Sequence, residues 1–160
     1  MLIETLRRSV GVALVLGALS AGEAWAGTPP EVLEPYNAYR AALEAQDADA
    51  ARLQARKALD ASLEILGEDD ALTGVLAHNL AGLEPDPKLR IDLYRTAIAA
   101  SPTATREEQM AVAERWVLLS QAHMSQSSGR RLDFQRARNA IDDGWRFISK
   151  HGLETTTFGG

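Results

Sequence analysis

The chain contains no cysteine. That absence excludes disulfide bridges, thiolate metal sites, a thiol nucleophile and a lipid-bearing cysteine behind any leader, so stability has to come from packing. Concentrated positive charge is lacking too: 17 Lys and Arg stand against 22 Asp and Glu, for a net charge of -5 and a pI near 5.2. Nucleic-acid affinity draws on clustered cations that release counterions from phosphates, so no nucleic-acid partner is expected. Nor does any segment sustain apolar-polar alternation of period two through β-branched residues, which leaves no strand for a phosphate-cradling loop to follow. A Gly-x-Ser-x-Gly nucleophile elbow does not occur.

The remaining chemistry-bearing residues are scattered. His78, His123 and His151 lie in different segments, and none has a histidine or carboxylate four residues away. That is the spacing a helical metal site favours, so no metal and no cofactor are expected. Glu68-Asp69-Asp70 opens a helix, where negative charge is favoured, and Asp142-Asp143 reads as a solvated helix face. The expectation is a protein without enzymatic activity.

What the sequence does have begins with a leader. Arg7-Arg8, the apolar run from Val10 to Ala21 and Ala24-Trp25-Ala26 before Gly27 have the layout of a secretory signal peptide, with cleavage expected after Ala26. The alternative is a retained anchor. Gly11, Gly17, Gly22 and Glu23, however, keep the apolar stretch shorter than the roughly 20 residues of a bilayer-spanning helix. The expected organisation is a signal peptide over 1–26, one helical domain over 27–152 and a frayed tail over 153–160. The expected location is the periplasm or the exterior, with no stable membrane span after cleavage.

Helical periodicity fills the mature chain. Thr28-Pro29-Pro30-Glu31 reads as a capping box ahead of a helix to about Gln46. A second helix carries Leu53, Ala55, Ala58, Leu59, Leu63 and Leu66 and stops at Gly67. A third runs from Asp69 or Asp70 to Leu83. Asp86-Pro87 starts a fourth, from Lys88 to Ala100, with Leu89, Leu93, Ala97 and Ala100 on one face. Thr105 to Glu108 repeats the capping-box pattern before a fifth helix with Met110, Ala113, Val117, Ser120 and Met124 on one side. After a polar loop from Ser125 to Arg131, a sixth helix to Lys150 aligns Phe134, Ala137, Ile141, Trp145 and Ile148, and Gly152 ends it. The fold class is all-α, with six helices as three antiparallel hairpins.

The hairpins share a feature. Small residues recur on each second helix, in Ala51-Ala55-Ala58, around Ala97 and around Ala137, where they let neighbouring helices approach closely. In the third hairpin Trp116, Leu119, Ser120 and His123 are followed by Phe134, Ala137, Ile141 and Gly144. In the middle one Leu80 and Ala81 are followed by Tyr94, Ala97 and Pro102; the first keeps Asp47, Ala51 and Ala58. On these residues the chain resembles the tetratricopeptide repeat family. It departs from that pattern in that Trp and the terminal Pro never share a repeat, and an ordinary six-helix bundle is the plainer alternative.

The resemblance implies a right-handed solenoid of stacked hairpins that binds a protein or peptide partner in a groove lined by first helices. Its register turns Tyr36, Asn37, Arg40, His78, Asn79 and Gln121 into that groove. Asn37 and Asn79 match asparagines of the family's carboxylate clamp, but Leu33, Glu114 and Leu118 stand where its cations would be. Beyond the last hairpin either Trp145, Phe147 and Phe158 cover the exposed face or a partner does, and completion by homo-oligomerisation is the second expectation. Replacing Ala97 or Ala137 by Leu is predicted to lower stability by about 1 to 3 kcal/mol through overpacking, read as a lower melting temperature.

Overall fold

Capping side chains explain where four of the helices begin. The computed structural model describes Trp25 and residues 27–126 and 131–153, the side chains at 131 and 132 excepted. Six helices occupy them: α1 (Pro30–Glu44), α2 (Ala48–Ile65), α3 (Ala71–Leu83), α4 (Pro87–Ala99), α5 (Arg106–Gln126) and α6 (Arg131–Lys150). The class is all-α, with no strand among the described residues. Asp47, Asp70 and Asp86 cap α2, α3 and α4, each carboxylate accepting from a backbone N–H of the first turn. Thr105 and Glu108 form the expected reciprocal box at α5, with distances of 2.8 and 3.2 Å. Gly67, at φ +95°, ends α2, because only a residue without Cβ adopts that backbone cheaply.

The start of α1 differs from the sequence reading. Pro29, not Thr28, is the N-cap, and no side chain caps the helix. The first turn closes instead on the Pro29 carbonyl, which accepts from Val32 and Leu33, while the Thr28 N–H donates to Trp25 O. Two prolines set the entry by fixing φ, so a hydroxyl cap is unnecessary. α5 also runs through Ser125 and Gln126, expected to be loop.

Each helix packs on the one before and the one after it in sequence. Contacts between named residues show that successive helices reverse direction. Ser62, near the end of α2, shares a 2.6 Å hydrogen bond with Thr73, near the start of α3. The Thr73 hydroxyl donates its one hydrogen to Gly67 O, so Ser62 is the donor in the pair. Gly74 of α3 lies against Ala100, at the end of α4: a Cβ at position 74 would stand 3.1 Å from that of Ala100. Asp92 and Arg95 of α4 lie near enough to His123, close to the end of α5, for their charges to act on it. Trp116 of α5 meets Gly144 of α6, where a Cβ would stand 2.9 Å from the indole-bearing carbon.

Small side chains make these approaches possible. Ala51, Ala55 and Ala58 on α2, Ala77 and Ala81 on α3, Ala97 on α4, Ala122 on α5 and Ala137 and Ala140 on α6 are all buried. Between them Leu59, Leu76, Leu80, Ile91 and Tyr94 fill the core. At about 25 cal/mol per Å² of apolar surface, this burial is the principal stabilising term.

The apolar stripes read from periodicity are only half inside. Leu53 and Leu63 on α2, Leu89 on α4, Met110, Val117 and Met124 on α5, and Phe134, Ile141 and Trp145 on α6 are exposed. Spacing shows which residues share a face but not which face turns inward. On α5 the buried side is Val112, Leu119, Ala122 and His123 with Ala113 and Ser120 at its border, and on α6 it is Ala137, Ala140 and Gly144. The expected tail also begins inside: Leu153 is buried, its N–H bonded to Ile148 O after Gly152 turns the chain at φ +63°. The leader, apart from Trp25, and residues 154–160, including Phe158, lie outside the described residues.

Gly82 has nothing within 4 Å of where its Cβ would be, whereas the space at Gly144 is occupied by Trp116. Gly82→Ala is predicted to raise stability by a few tenths to about 1 kcal/mol through helix propensity. Gly144→Val is predicted to lower it by about 1 to 3 kcal/mol through overpacking. Denaturant midpoints of the two variants, moving in opposite directions from that of the parent, check both.

Candidate functional site

The six residues that the resemblance assigns to a groove fall in three places. Tyr36, Asn37 and Arg40 stand within a turn and a half of each other on α1, the last two exposed and Tyr36 half-buried. The Tyr36 ring is stacked on Trp25 with centroids 4.0 Å apart and planes 15° from parallel, and lies 5.8 Å from the Tyr39 ring. Burial raises the Tyr36 phenol above its ordinary value, with Arg40 opposing; it pushes Tyr39 up to about 12, the neighbouring Tyr36 adding to the effect. A cleavage after Ala26 would remove Trp25 and bare one face of Tyr36.

His78 and Asn79 are half-buried on α3. The His78 ring lies 6.0 Å from Tyr94 of α4, and its buried Nδ1 has no hydrogen-bond partner. Arg115 of α5 approaches the same seam, donating to Ser101 Oγ, which in turn donates to Ala97 O. Burial lowers the pKa of this guanidinium, and the adjacent Glu114 opposes the shift. Three helices thus bring an imidazole, a phenol, a guanidinium and a hydroxyl to one seam, a mixture suited to hydrogen bonding and stacking. Gln121 is exposed on α5, about 120° around the helix from Arg115, where it borders Val117 and Met124. The asparagines Asn37 and Asn79 are separated in the same way, one on α1 and one on α3.

Periodicity gave no signal for Trp25, which meets Tyr36 from the turn before α1, or for Tyr94 and Arg115, which meet His78 through the packing of α4 and α5. The same holds for Glu84, a buried carboxylate expected only as part of a turn. It accepts from Arg56 at 3.1 Å and from the Asp86 N–H at 3.2 Å, and its carbonyl accepts from Arg90 at 2.9 and 2.6 Å. That set ties the α3–α4 turn to α2, which makes it a structural lock. Asp142 and Asp143 pair with Arg138 at 3.8 Å and Arg146 at 2.7 Å, the solvated arrangement expected of them.

The chain matches no family model, no curated protein and no solved structure. The site therefore rests on its own geometry. Among the described residues no group of His, Asp and Glu is placed to hold a metal ion, and no helix is long and apolar enough to cross a membrane.

Burial depresses His78 from 6.5 to about 4, with the charge of Arg115 adding to the effect. Between those values the unfolded chain binds a proton that the folded chain does not, so stability falls as pH drops through this window and is retained above it. His123, buried on α5 and also lowered, acts in the same direction. Urea midpoints are predicted to drop between about pH 7 and about pH 5, and His78→Phe to flatten that dependence in part.

Proposed function

We propose that the protein is a non-enzymatic protein–protein interaction module, a tetratricopeptide-like stack of three helix pairs that holds a partner protein or peptide on its first helices. The observation that carries this reading is the packing of every helix on its sequence neighbours through buried alanines. Such packing leaves the outer faces of successive helices available as one extended surface, which is how stacked repeats recognise extended ligands. Tyr36, Asn37 and Arg40 on α1, His78 and Asn79 on α3 and Gln121 on α5 are its proposed contacts. The first five supply an aromatic surface, amide donors and acceptors, and a cation. The location proposed from the leader is the periplasm or the exterior, within an envelope assembly.

A second reading is favoured by one observation, the apolar face left exposed by α5 and α6. On that reading the chain is a structural accessory subunit, completed by oligomerisation or by permanent docking of its last hairpin.

Affinity capture from an envelope fraction, with the chain as bait, tests the first reading. A partner retained by the parent and lost by roughly tenfold or more with Tyr36→Ala combined with Arg40→Ala, at unchanged helical circular dichroism, is the expected result. Retention that ignores these residues and His78 would overturn the groove assignment.

A further inference from the structure

Ten large apolar side chains stand exposed among the described residues, and six of them belong to the last two helices. Met110, Val117 and Met124 recur every seven residues on α5, and Phe134, Ile141 and Trp145 follow at intervals of seven and four on α6. Each is between 41% and 56% exposed. Trp116 and Gly144 mark the seam between the helices, and Val117 and Trp145 are the residues that follow them. One residue is a 100° turn in the right-handed sense of the helix. Because the helices run in opposite directions, the two turns bring Val117 and Trp145 to the same side of the pair. α4 lies on the side of α5 that carries His123 and Arg115, about 100° or more from Val117 in the opposite sense, so among the described residues this side faces away from α4.

We propose that this face is where a second copy of the chain docks, in an isologous dimer that sets α5 of one copy against α6 of the other. The first support is area. Six side chains, each exposed over about half of its surface, leave on the order of 500 Å² of apolar surface at the 150–250 Å² of a large side chain. Two such faces bury on the order of 1,000 Å², the size at which a specific interface begins. The second support is charge. On α5 the stripe is flanked by exposed Glu107, Glu114 and Gln121; on α6 it is flanked by exposed Arg138, Asp142 and Arg146. Setting α5 on α6 places Glu107 and Glu114 opposite a flank where Arg138 and Arg146 are balanced by Asp142 and Asp143, whereas α5 on α5 would oppose Glu107 and Glu114 to themselves. A two-fold axis parallel to the helices gives the favourable arrangement and brings Val117 of one copy over Trp145 of the other.

The proposal shares with the interaction-module reading the placing of this pair at one end of the described helices and one residue, Gln121, at the border of the face; the other five proposed contacts lie on α1 and α3. Loss of groove binding would leave it standing, and the reverse also holds.

The full 160-residue chain is expressed and purified, the N-terminus of the recovered protein is read by mass spectrometry, and its mass is followed by light scattering after size exclusion over a roughly hundredfold concentration range. The expected result is a mass of two chains that falls to one on dilution. Val117→Glu and Trp145→Lys should each give one chain at every concentration with unchanged helical circular dichroism. Because the protein has no cysteine, a mixture of Val117→Cys and Trp145→Cys chains should form a disulfide between chains under mild oxidation, several-fold faster than either variant alone. A single-chain mass throughout would overturn the proposal, as would a dimer that survives both charge substitutions, Val117→Cys alone cross-linking as fast as the mixture, or a different protein occupying this face on a monomeric chain. If a charge substitution unfolds the protein, the cysteine mixture decides.

Discussion

The close approach of helices through side chains no larger than a methyl group is the constraint on which everything else in this structure depends. Where Ala55, Ala77, Ala97 and Ala137 are buried, backbones come near enough for neighbouring Leu and Tyr side chains to interdigitate around them. Gly74 against Ala100 and Gly144 against Trp116 carry the same logic further, since at these two points there is scarcely room for a methyl group. A chain without disulfides depends on such contacts, and their tightness is what holds each helix to its neighbours in the order in which they are made.

Polar groups fix the corners that packing alone would leave free. The Ser62 and Thr73 hydroxyls and the Gly67 carbonyl form a chain of hydrogen bonds at the α2–α3 turn, and Glu84 does the same at the α3–α4 turn through Arg56, Arg90 and Asp86. Buried polar atoms with partners cost little, whereas an orphaned one carries its full desolvation penalty. His78 and His123 illustrate the second case: each has a buried, unpartnered Nδ1, and in each burial disfavours the charged form. The seam around His78 therefore combines stabilising packing with polarity that the fold does not use fully, the combination that makes it a candidate for recognition.

Two surfaces of different character result. Along α1 and α3 the outward residues are mixed, aromatic and amide together with a cation, and adaptable in hydrogen bonding. On the last pair the outward residues are large and apolar with charged borders. Among the described residues α6 packs chiefly on α5, and the apolar stripe it shares with that helix stays in water unless something else meets it.

The order of the helices and most of their bounds were legible in local chemistry: aspartates and a threonine at the starts of α2 to α5, glycines at the stops of α2 and α6, and 3.6-residue periodicity between. So was the presence of alanine faces. Which stripe of each helix turned inward was not legible on α5 and α6, because Met110, Val117 and Met124 share a face by spacing as well as the buried residues do, and only the position of α4 and α6 around α5 chose between them. The meeting of His78 with Tyr94 and Arg115, the burial of Leu153 and the lock at Glu84 were equally outside its reach. By itself the sequence determined that this protein is six helices, four of them with side-chain caps, and closely packing faces, since caps, breaks and periodicity act over a few residues. Only the tertiary structure decided which faces meet and which side chains share a site, since that depends on distances between segments far apart in the chain.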